Sequence, residues 1–319
     1  MARLTKTSSL RGMHIGRRQL INLGIVLLLF YAVLPQIDRF RASFKVIEHS
    51  QPGWIVVALG CSLATSFIAT GTYLLLAKKR IPYPRTLAVQ LASLFVNRIL
   101  PAGIGAIGLN FEYLRKQRHS QSSAGAVVAT NNLLGLLGHL LLLTIVVLTT
   151  SVSFSQLAQP HIASAVYWFI LGIAVIILVV LAWFRKFRDK LLREILGVLK
   201  DIRGYRTHPV RLLIALGLSM GLTTLYSFCL FTCARAVGVD LAFGQALIVL
   251  TVGVAGATIA PTPGGLIGAE AGLFAGLLVF KVTFAEALAI VLIYRFLTYW
   301  LALIIGAVAW GFIRRRNYI

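Results

Sequence analysis

Residues 260–270 read APTPGGLIGAE, which places two prolines, two adjacent glycines and a carboxylate inside an apolar stretch of the chain. Pro261 and Pro263 lack a backbone N–H group and clash with the preceding turn, so a helix is expected to stop just before them. Gly264 and Gly265 let the backbone turn, and a new helix is expected to start at about Gly264. The first N–H groups of that helix have no intrahelical partner and suit an anion such as phosphate.

Two ionisable side chains could act beside this break. Glu270 follows Gly264 by six residues, and Arg295 lies eleven residues into the last apolar segment, too far from either surface to reach water easily. Charged groups at such a depth are costly and indicate a functional site by default. Arg295 is a planar, permanently charged partner for phosphate or carboxylate, and Glu270 is its natural neutraliser. Two structural interpretations stay open, namely a packing kink with Glu270 neutral or paired, and an ion pair that contacts no ligand.

A second broken segment occurs earlier in the chain, over residues 86–114. Its first apolar run would be about 22 Å long as a helix, too short to cross a hydrocarbon core of about 30 Å. Pro101 and Gly103 interrupt it, and Glu112 follows the interruption as Glu270 follows the later one. Basic residues flank both ends, so a re-entrant hairpin that opens to the cytoplasm, or two tightly paired short helices, is predicted. Corresponding breaks in two halves of a chain indicate a transporter's substrate site, although coincidence in a glycine-rich membrane protein is the alternative.

The composition indicates a polytopic membrane protein. The 319 residues are 58% hydrophobic and 13% charged, with a mean hydropathy of +0.86, whereas soluble domains carry about 25% charged residues. The net charge of +22 would suit nucleic acid, but the basic residues cluster at the chain ends and between apolar segments, as the positive-inside rule requires. We therefore expect contact with anionic lipid headgroups rather than nucleic acid. No His or Cys spacing suggests a metal or another cofactor.

The expected fold is an all-α helical membrane bundle in which two broken, re-entrant hairpins open to opposite sides, as in an inverted repeat. Both termini are expected in the cytoplasm, in a multi-pass protein of the cytoplasmic membrane. Residues 185–211 carry nine basic and three acidic residues in an amphipathic pattern, which predicts a helix on the inner leaflet. The predicted elements are a basic tail over 1–19, spans over 20–38, 54–77, 124–150, 162–184, 212–237 and 285–313, the broken segments 86–114 and 242–280, and a tail over 314–319.

Three stretches of the chain can be compared with known motifs. They read FVNRILPAG at residues 95–103, PTPGGLIGAE at 261–270 and YRFLTYW at 294–300. They resemble the motifs of the lysylphosphatidylglycerol synthase/flippase transmembrane family, and the resemblance covers nearly the whole chain. Members of that family often carry an acidic and a basic residue soon after the glycine of the first motif, where this chain has apolar residues over 106–109. Larger members add a soluble aminoacyl-transferase domain. Because this chain stops at Ile319, that activity is expected to be missing.

The resemblance implies a flippase-like protein that translocates a phospholipid or a lipid-linked intermediate. A membrane scaffold or accessory subunit of envelope lipid or glycan enzymes is the alternative, and it would not need charged side chains at depth. A lipid-modifying enzyme is less favoured, because the nine acidic residues form no DxD motif and no His pair occurs; no enzymatic activity is expected. A protein partner would be a second copy of the chain or an envelope enzyme. The predicted substrate-binding residues are Arg98, Pro101, Gly103, Glu112, Pro261, Pro263, Gly264, Gly265, Glu270, Tyr294 and Arg295.

Overall fold

The computed structural model describes residues 37–100, 103–149, 209–259 and 262–319. These residues form helices and no β-strand, which confirms the predicted all-α fold. The predicted tail 1–19, nearly all of the first span, the span 162–184 and most of the segment 185–211 lie outside the described residues, as do Pro101 and Pro261. In chain order the helices are α1 (Ile37–Glu48), α2 (Pro52–Leu76), α3 (Tyr83–Ile99), α4 (Ile104–Lys116), α5 (Gln121–Thr149), α6 (Pro209–Ala236), α7 (Phe243–Ile259), α8 (Gly268–Val279), α9 (Phe284–Arg295), a π-helical turn (Phe296–Trp300) and α10 (Leu301–Arg315).

Among the described helices, four are long and apolar enough to cross a membrane. They are α2, α5, α6 and the continuous run Phe284–Arg315, in which the π-helical turn joins α9 to α10. The shortest of them, α2, has 25 residues and is therefore about 37 Å long, more than a hydrocarbon core of about 30 Å. Exposed leucines such as Leu136, Leu140 and Leu148 cover the outer face of α5. The protein is thus a multi-pass helical membrane protein.

Two pairs of shorter helices form helical hairpins. Hairpin A consists of α3 and α4, joined at residues 100–103, and hairpin B consists of α7 and α8, joined at residues 260–267. The hairpins enter the bundle from opposite ends because the helices that precede them, α2 and α6, pack together in antiparallel directions. Thus the backbone N–H of Gln51, before α2, donates to the carbonyl of Ala236 at the end of α6. The described chain therefore repeats one order of elements: a long helix, a hairpin and a second long helix.

Three basic segments meet at the end of the bundle from which hairpin A enters. Lys79 Nζ donates to the carbonyl of Arg118 at 2.6 Å, which joins the loop after α2 to the loop after α4. Arg85, at the start of α3, lies over the ring of Tyr318 near the C-terminus, 5.2 Å from its centroid. The positive-inside rule expects such an end in the cytoplasm, so hairpin A is expected to open to the cytoplasm and hairpin B to the outside.

Close backbone contacts between small residues hold each hairpin together. In hairpin B, a Cβ atom added to Gly256 would lie 2.2 Å from the carbonyl oxygen of Gly268. In hairpin A, a Cβ atom added to Gly105 would lie 2.4 Å from the carbonyl oxygen of Val96. Small residues let membrane helices approach closely, so that van der Waals contacts replace the hydrophobic effect that lipid does not supply. A larger side chain at either position would force the two helices of its hairpin apart.

The second helix of hairpin B begins later than the sequence predicts. α8 starts at Gly268 rather than at Gly264, because Gly264, Gly265 and Ile267 adopt φ angles of +61°, +68° and +72°. These left-handed conformations cannot continue into a right-handed helix. Glu270 consequently falls in the first turn of α8 instead of one and a half turns inside it. There the positive end of the helix dipole favours a carboxylate.

We expect Gly306→Ala in α10 to lower the melting temperature of the detergent-purified protein by several degrees. The added Cβ atom would lie 2.5 Å from the backbone nitrogen of Phe95 on α3, where backbone atoms cannot give way. Gly311→Ala in the same helix is the matched control, since no atom lies within 4 Å of its added Cβ. Alanine is favoured over glycine in helices by about 1 kcal/mol, so the control should keep or raise the melting temperature. Equal melting temperatures for both variants would contradict this packing of α3 against α10.

Candidate functional site

Arg295 and Glu270 form an ion pair between the last membrane-spanning run and hairpin B. Arg295 Nε donates to Glu270 Oε1 at 2.6 Å, and the two side chains are 14% and 30% exposed. Arg295 Nη2 also donates to the carbonyl of Gly264 at 3.5 Å, which places the pair beside the break in hairpin B. The predicted proximity of the two charges is thereby confirmed. A charge-assisted bond of this length is about twice as strong as a neutral one.

Arg98 brings a second guanidinium group to the same place from hairpin A. Its Nη1 donates to the carbonyl of Leu94 at 2.5 Å, and its Nη2 donates to the carbonyl of Thr298. Both arginines lie over the ring of Tyr299, with the guanidinium carbon 5.5 Å from the ring centroid for Arg98 and 4.7 Å for Arg295. Cation–π attraction to the shared ring offsets part of the repulsion between the two arginines.

The π-helical turn over Phe296–Trp300 supplies backbone acceptors to this cluster. A π-turn changes the intrahelical bonding from i→i+4 to i→i+5, and such turns occur frequently at functional sites. Two carbonyls of the turn accept bonds from other helices: Ser62 Oγ donates to Leu297 at 3.3 Å, and Arg98 donates to Thr298. The turn therefore ties the last span to α2 and to hairpin A at the level of the ion pair.

Three cavities surround the tips of the hairpins. The central cavity has a volume of about 490 Å³, the hairpin B cavity about 360 Å³ and the hairpin A cavity about 230 Å³. These adjoining cavities extend from hairpin A, past the two tips, to hairpin B. The central and hairpin B cavities share a wall made of Asn97, Arg98, Tyr226, Val254, Ala257, Gly264 and Arg295. The central and hairpin A cavities share Ala69, Gln90, Asn97, Gly103, Ala106 and Leu222.

The central cavity lies at half the length of the membrane-spanning helices. Its wall includes Thr65 and Ser66 near the middle of α2, Leu222 near the middle of α6, and Tyr299 halfway along Phe284–Arg315. Helices of this length cross the whole hydrocarbon core, so their midpoints are expected near its centre. Polar and charged groups in such a position mark substrate or ion pathways.

Within the described part of the chain, no cluster of three or more His, Cys, Asp or Glu side chains could hold a metal ion. Cys61, Cys229 and Cys233 are free thiols that pack among apolar residues. The polar groups that line the three cavities at the hairpin tips are mainly guanidinium, amide and hydroxyl groups. Such groups suit an anion or the polar headgroup of a lipid.

The chain matches a known family of membrane proteins. Residues 19–306 match the family described as the lysylphosphatidylglycerol synthase TM region. The chain belongs to this family. The match includes both hairpins and the spans that carry the ion pair, and it confirms the family expected from the three motifs. No curated protein matches the chain. Family membership and the long apolar helices together make this a multi-pass membrane protein of a lipid-related family.

Most of the predicted site residues in this family region reach the cavities. Those that line the central cavity are Arg98, Gly103, Gly264, Gly265 and Arg295, and Tyr294 lines the hairpin B cavity. Pro101 and Pro261 lie outside the described residues. The two breaks therefore converge on one site, although they are distant in sequence.

Three other predicted residues line none of the three cavities. Glu112 is exposed near the far end of α4, because that helix begins at the break and carries the residue more than two turns away. Pro263 is exposed in the connection between α7 and α8. Glu270 contacts Arg295 from outside the cavity walls, since its Oε1 is engaged by Arg295 Nε. Glu270 thus lies next to Arg295 at the break in hairpin B, whereas Glu112 lies at the end of its hairpin that is far from the tip.

Several residues of the cavity walls are not predicted from the sequence as site residues. They are polar side chains on apolar helices: Ser66, Gln90, Asn97, Tyr226 and Tyr299. All except Asn97, which lies in the last turn of α3, are well inside a helix, and a polar residue at such a position is the signal that could have identified them. Tyr299 also depends on the π-helical turn, which no residue type predicts.

We expect Glu270→Gln and Arg295→Gln each to lower the free energy of unfolding by about 3 kcal/mol, because each leaves a largely buried charge without its partner. Asp240→Asn is the matched control. It breaks the pair between Arg235 Nη2 and Asp240 Oδ1, also 2.6 Å long, whose side chains are 37% and 84% exposed. Exposed pairs contribute about 1 kcal/mol or less. Denaturant unfolding in detergent measures the three losses. A loss for Glu270→Gln no larger than for Asp240→Asn would contradict a stabilising pair between Glu270 and Arg295.

Proposed function

We propose that the protein is a lipid translocase of the cytoplasmic membrane. The headgroup of a phospholipid or lipid-linked intermediate passes the tips of the two hairpins while its acyl chains stay in the bilayer. One observation carries this proposal: the central and hairpin B cavities share a polar wall where the tips meet, at half the length of the spanning helices. Membrane lipids are then the partners of the chain.

Side chains in this wall can replace the hydrogen bonds to water that a headgroup loses when it enters the membrane. Moving a phosphate through hydrocarbon is costly because its hydrogen bonds to water are lost. Arg98 and Arg295 supply charged donors at that depth, and Glu270 keeps Arg295 in place. Volumes of about 490 and 360 Å³ fall within the range of about 300–1,000 Å³ that is usual for ligand sites.

The opposite entry of the two hairpins supports access from both sides. The hairpin A cavity continues the central cavity along α3 and α4, toward the basic end of the bundle. The hairpin B cavity continues from the shared wall along α7 and α8, toward the other end. A small movement of one hairpin tip relative to the other would open either route around a fixed site. A scaffold has no need of two guanidinium groups at this depth, and passage of a headgroup requires no covalent chemistry.

The test is a leaflet-exchange assay in liposomes. The protein is reconstituted with a trace of phosphatidylglycerol labelled on an acyl chain with a fluorophore that dithionite bleaches from outside. The wild-type protein should raise the bleached fraction above that of empty liposomes. Arg295→Gln should slow the exchange about tenfold or more, because a hydrogen bond to a charged group contributes about 1.5–3 kcal/mol. Arg235→Gln is the matched control, since Arg235 lines none of the three cavities.

A charge exchange separates transport from folding. Glu270→Arg combined with Arg295→Glu restores the balance of charge and should recover the amount of folded protein. It should not recover lipid exchange, because the cation then lies on α8 outside the cavity walls. Wild-type protein that bleaches no more than empty liposomes would overturn the proposal, as would an exchanged variant with full activity.

A further inference from the structure

The charged side chains in the cavity walls are cations. Arg98 and Arg295 line the central and hairpin B cavities, whereas no Asp or Glu of the described ranges lines any of the three cavities. His139, in the wall of the hairpin B cavity, bonds to Thr251 Oγ1 at 3.2 Å. Of these two guanidinium groups, Arg295 pairs with the carboxylate of Glu270, whereas Arg98 bonds to main-chain carbonyls. An excess positive charge at half the depth of a membrane calls for an anion or for water.

Of the two arginines, Arg98 is the one with an unused hydrogen-bond donor. Its guanidinium group donates to the main-chain carbonyls of Leu94 and Thr298, and within the described ranges no carboxylate forms an ion pair with it. Its Nε is buried and has no hydrogen-bond partner. Arg295, by contrast, uses its Nε to bind Glu270. A phosphate in the central cavity would give Arg98 the anionic acceptor that it lacks.

The rest of the polar lining is neutral. Asn97 Oδ1 and Ser66 Oγ are buried at the central cavity without a partner. Gln90 Nε2 donates to Asn110 Oδ1 at 2.6 Å, between the central and hairpin A cavities. Amides and hydroxyls both donate and accept hydrogen bonds, so they match hydroxyl groups of a ligand. Further neutral polar residues in the wall of the hairpin A cavity are Thr72, Asn131, Asn132 and Ser219.

We infer that the site selects a lipid phosphodiester whose headgroup is otherwise uncharged and bears hydroxyls, as a glycerol or sugar phosphate does, and that it disfavours a headgroup carrying an amine cation. This inference rests on the proposed translocation. The phosphate binds the two arginines, and the hydroxyls bind the amide and hydroxyl side chains. An ammonium group in the same place would meet Arg98 and Arg295, while the carboxylate of Glu270 is paired with Arg295 and lines none of the three cavities. Repulsion and lost hydration therefore both oppose it.

The experiment compares two labelled lipids that differ by one aminoacyl group. Phosphatidylglycerol and lysylphosphatidylglycerol, both labelled on an acyl chain, are followed in the dithionite assay with the wild-type protein. Phosphatidylglycerol should cross at least about tenfold faster, because misplaced like charges are strongly unfavourable in a binding site. The shift in melting temperature caused by short-chain forms of each lipid gives a second readout in detergent, and phosphatidylglycerol should give the larger shift.

The variant Gln90→Glu tests the inference by shifting the preference toward the lysyl lipid. It introduces a carboxylate of nearly the same size at the central and hairpin A cavities, so it should raise the rate of the lysyl lipid relative to phosphatidylglycerol. Gln245→Glu is the matched control, because Gln245 accepts a bond from the Ala242 backbone and lines none of the three cavities. Its ratio of rates should equal that of the wild type.

The outcomes separate the two proposals. If the lysyl lipid crosses as fast as phosphatidylglycerol or faster, the headgroup inference is overturned and the translocase stands. If neither lipid crosses faster than in empty liposomes, the translocase is overturned and the melting-temperature shifts decide the headgroup inference. A larger shift with phosphatidylglycerol then supports it, and an equal or larger shift with the lysyl lipid overturns it.

Discussion

Two guanidinium groups at half the length of membrane-spanning helices must find acceptors within the protein, and much of the bundle follows from that requirement. Arg295 obtains a carboxylate because α8 begins beside it and carries Glu270 in its first turn. Arg98 obtains carbonyls, one from its own helix and one from the π-helical turn of the last span. The break in hairpin B, the turn in the last span and the tip of hairpin A are therefore parts of one hydrogen-bonded cluster.

Glycine makes this cluster sterically feasible. A Cβ atom on Gly264 would lie 2.5 Å from Tyr299 Cε2 and 3.2 Å from the Cα atom of Arg98, so any other residue would push the two tips apart. The positive φ at Gly264 also lets its carbonyl face Arg295. Charge and packing thus depend on the same backbone position. The same close approach leaves cavities on both sides of one thin wall, which is the geometry that a headgroup pathway requires.

The sequence predicts the parts of this site that follow from single residues. The double proline and double glycine predict the break, and the cost of isolated charge at depth predicts the pairing of Glu270 with Arg295. It does not predict what depends on tertiary contact. α8 starts at Gly268 because three residues before it adopt left-handed angles, which only the packed tip imposes. The analogy between Glu112 and Glu270 fails because α4 begins directly at its break, whereas α8 begins several residues after its own. Tyr299 acquires its place from a π-helical turn that has no signature in the residue types.

The arrangement of both hairpin tips at half depth can be measured directly in a lipid bilayer. Ile104, at the start of α4, and Ile267, just before α8, are 57% and 75% exposed, so a nitroxide label replaces either side chain without disturbing the packed site. Power-saturation EPR with oxygen and a water-soluble nickel chelate reports the depth of each label in liposomes. Both labels are expected at similar depths, near the middle of a hydrocarbon core of about 30 Å. A label at the depth of the lipid headgroups on either hairpin would contradict the meeting of the two tips inside the membrane.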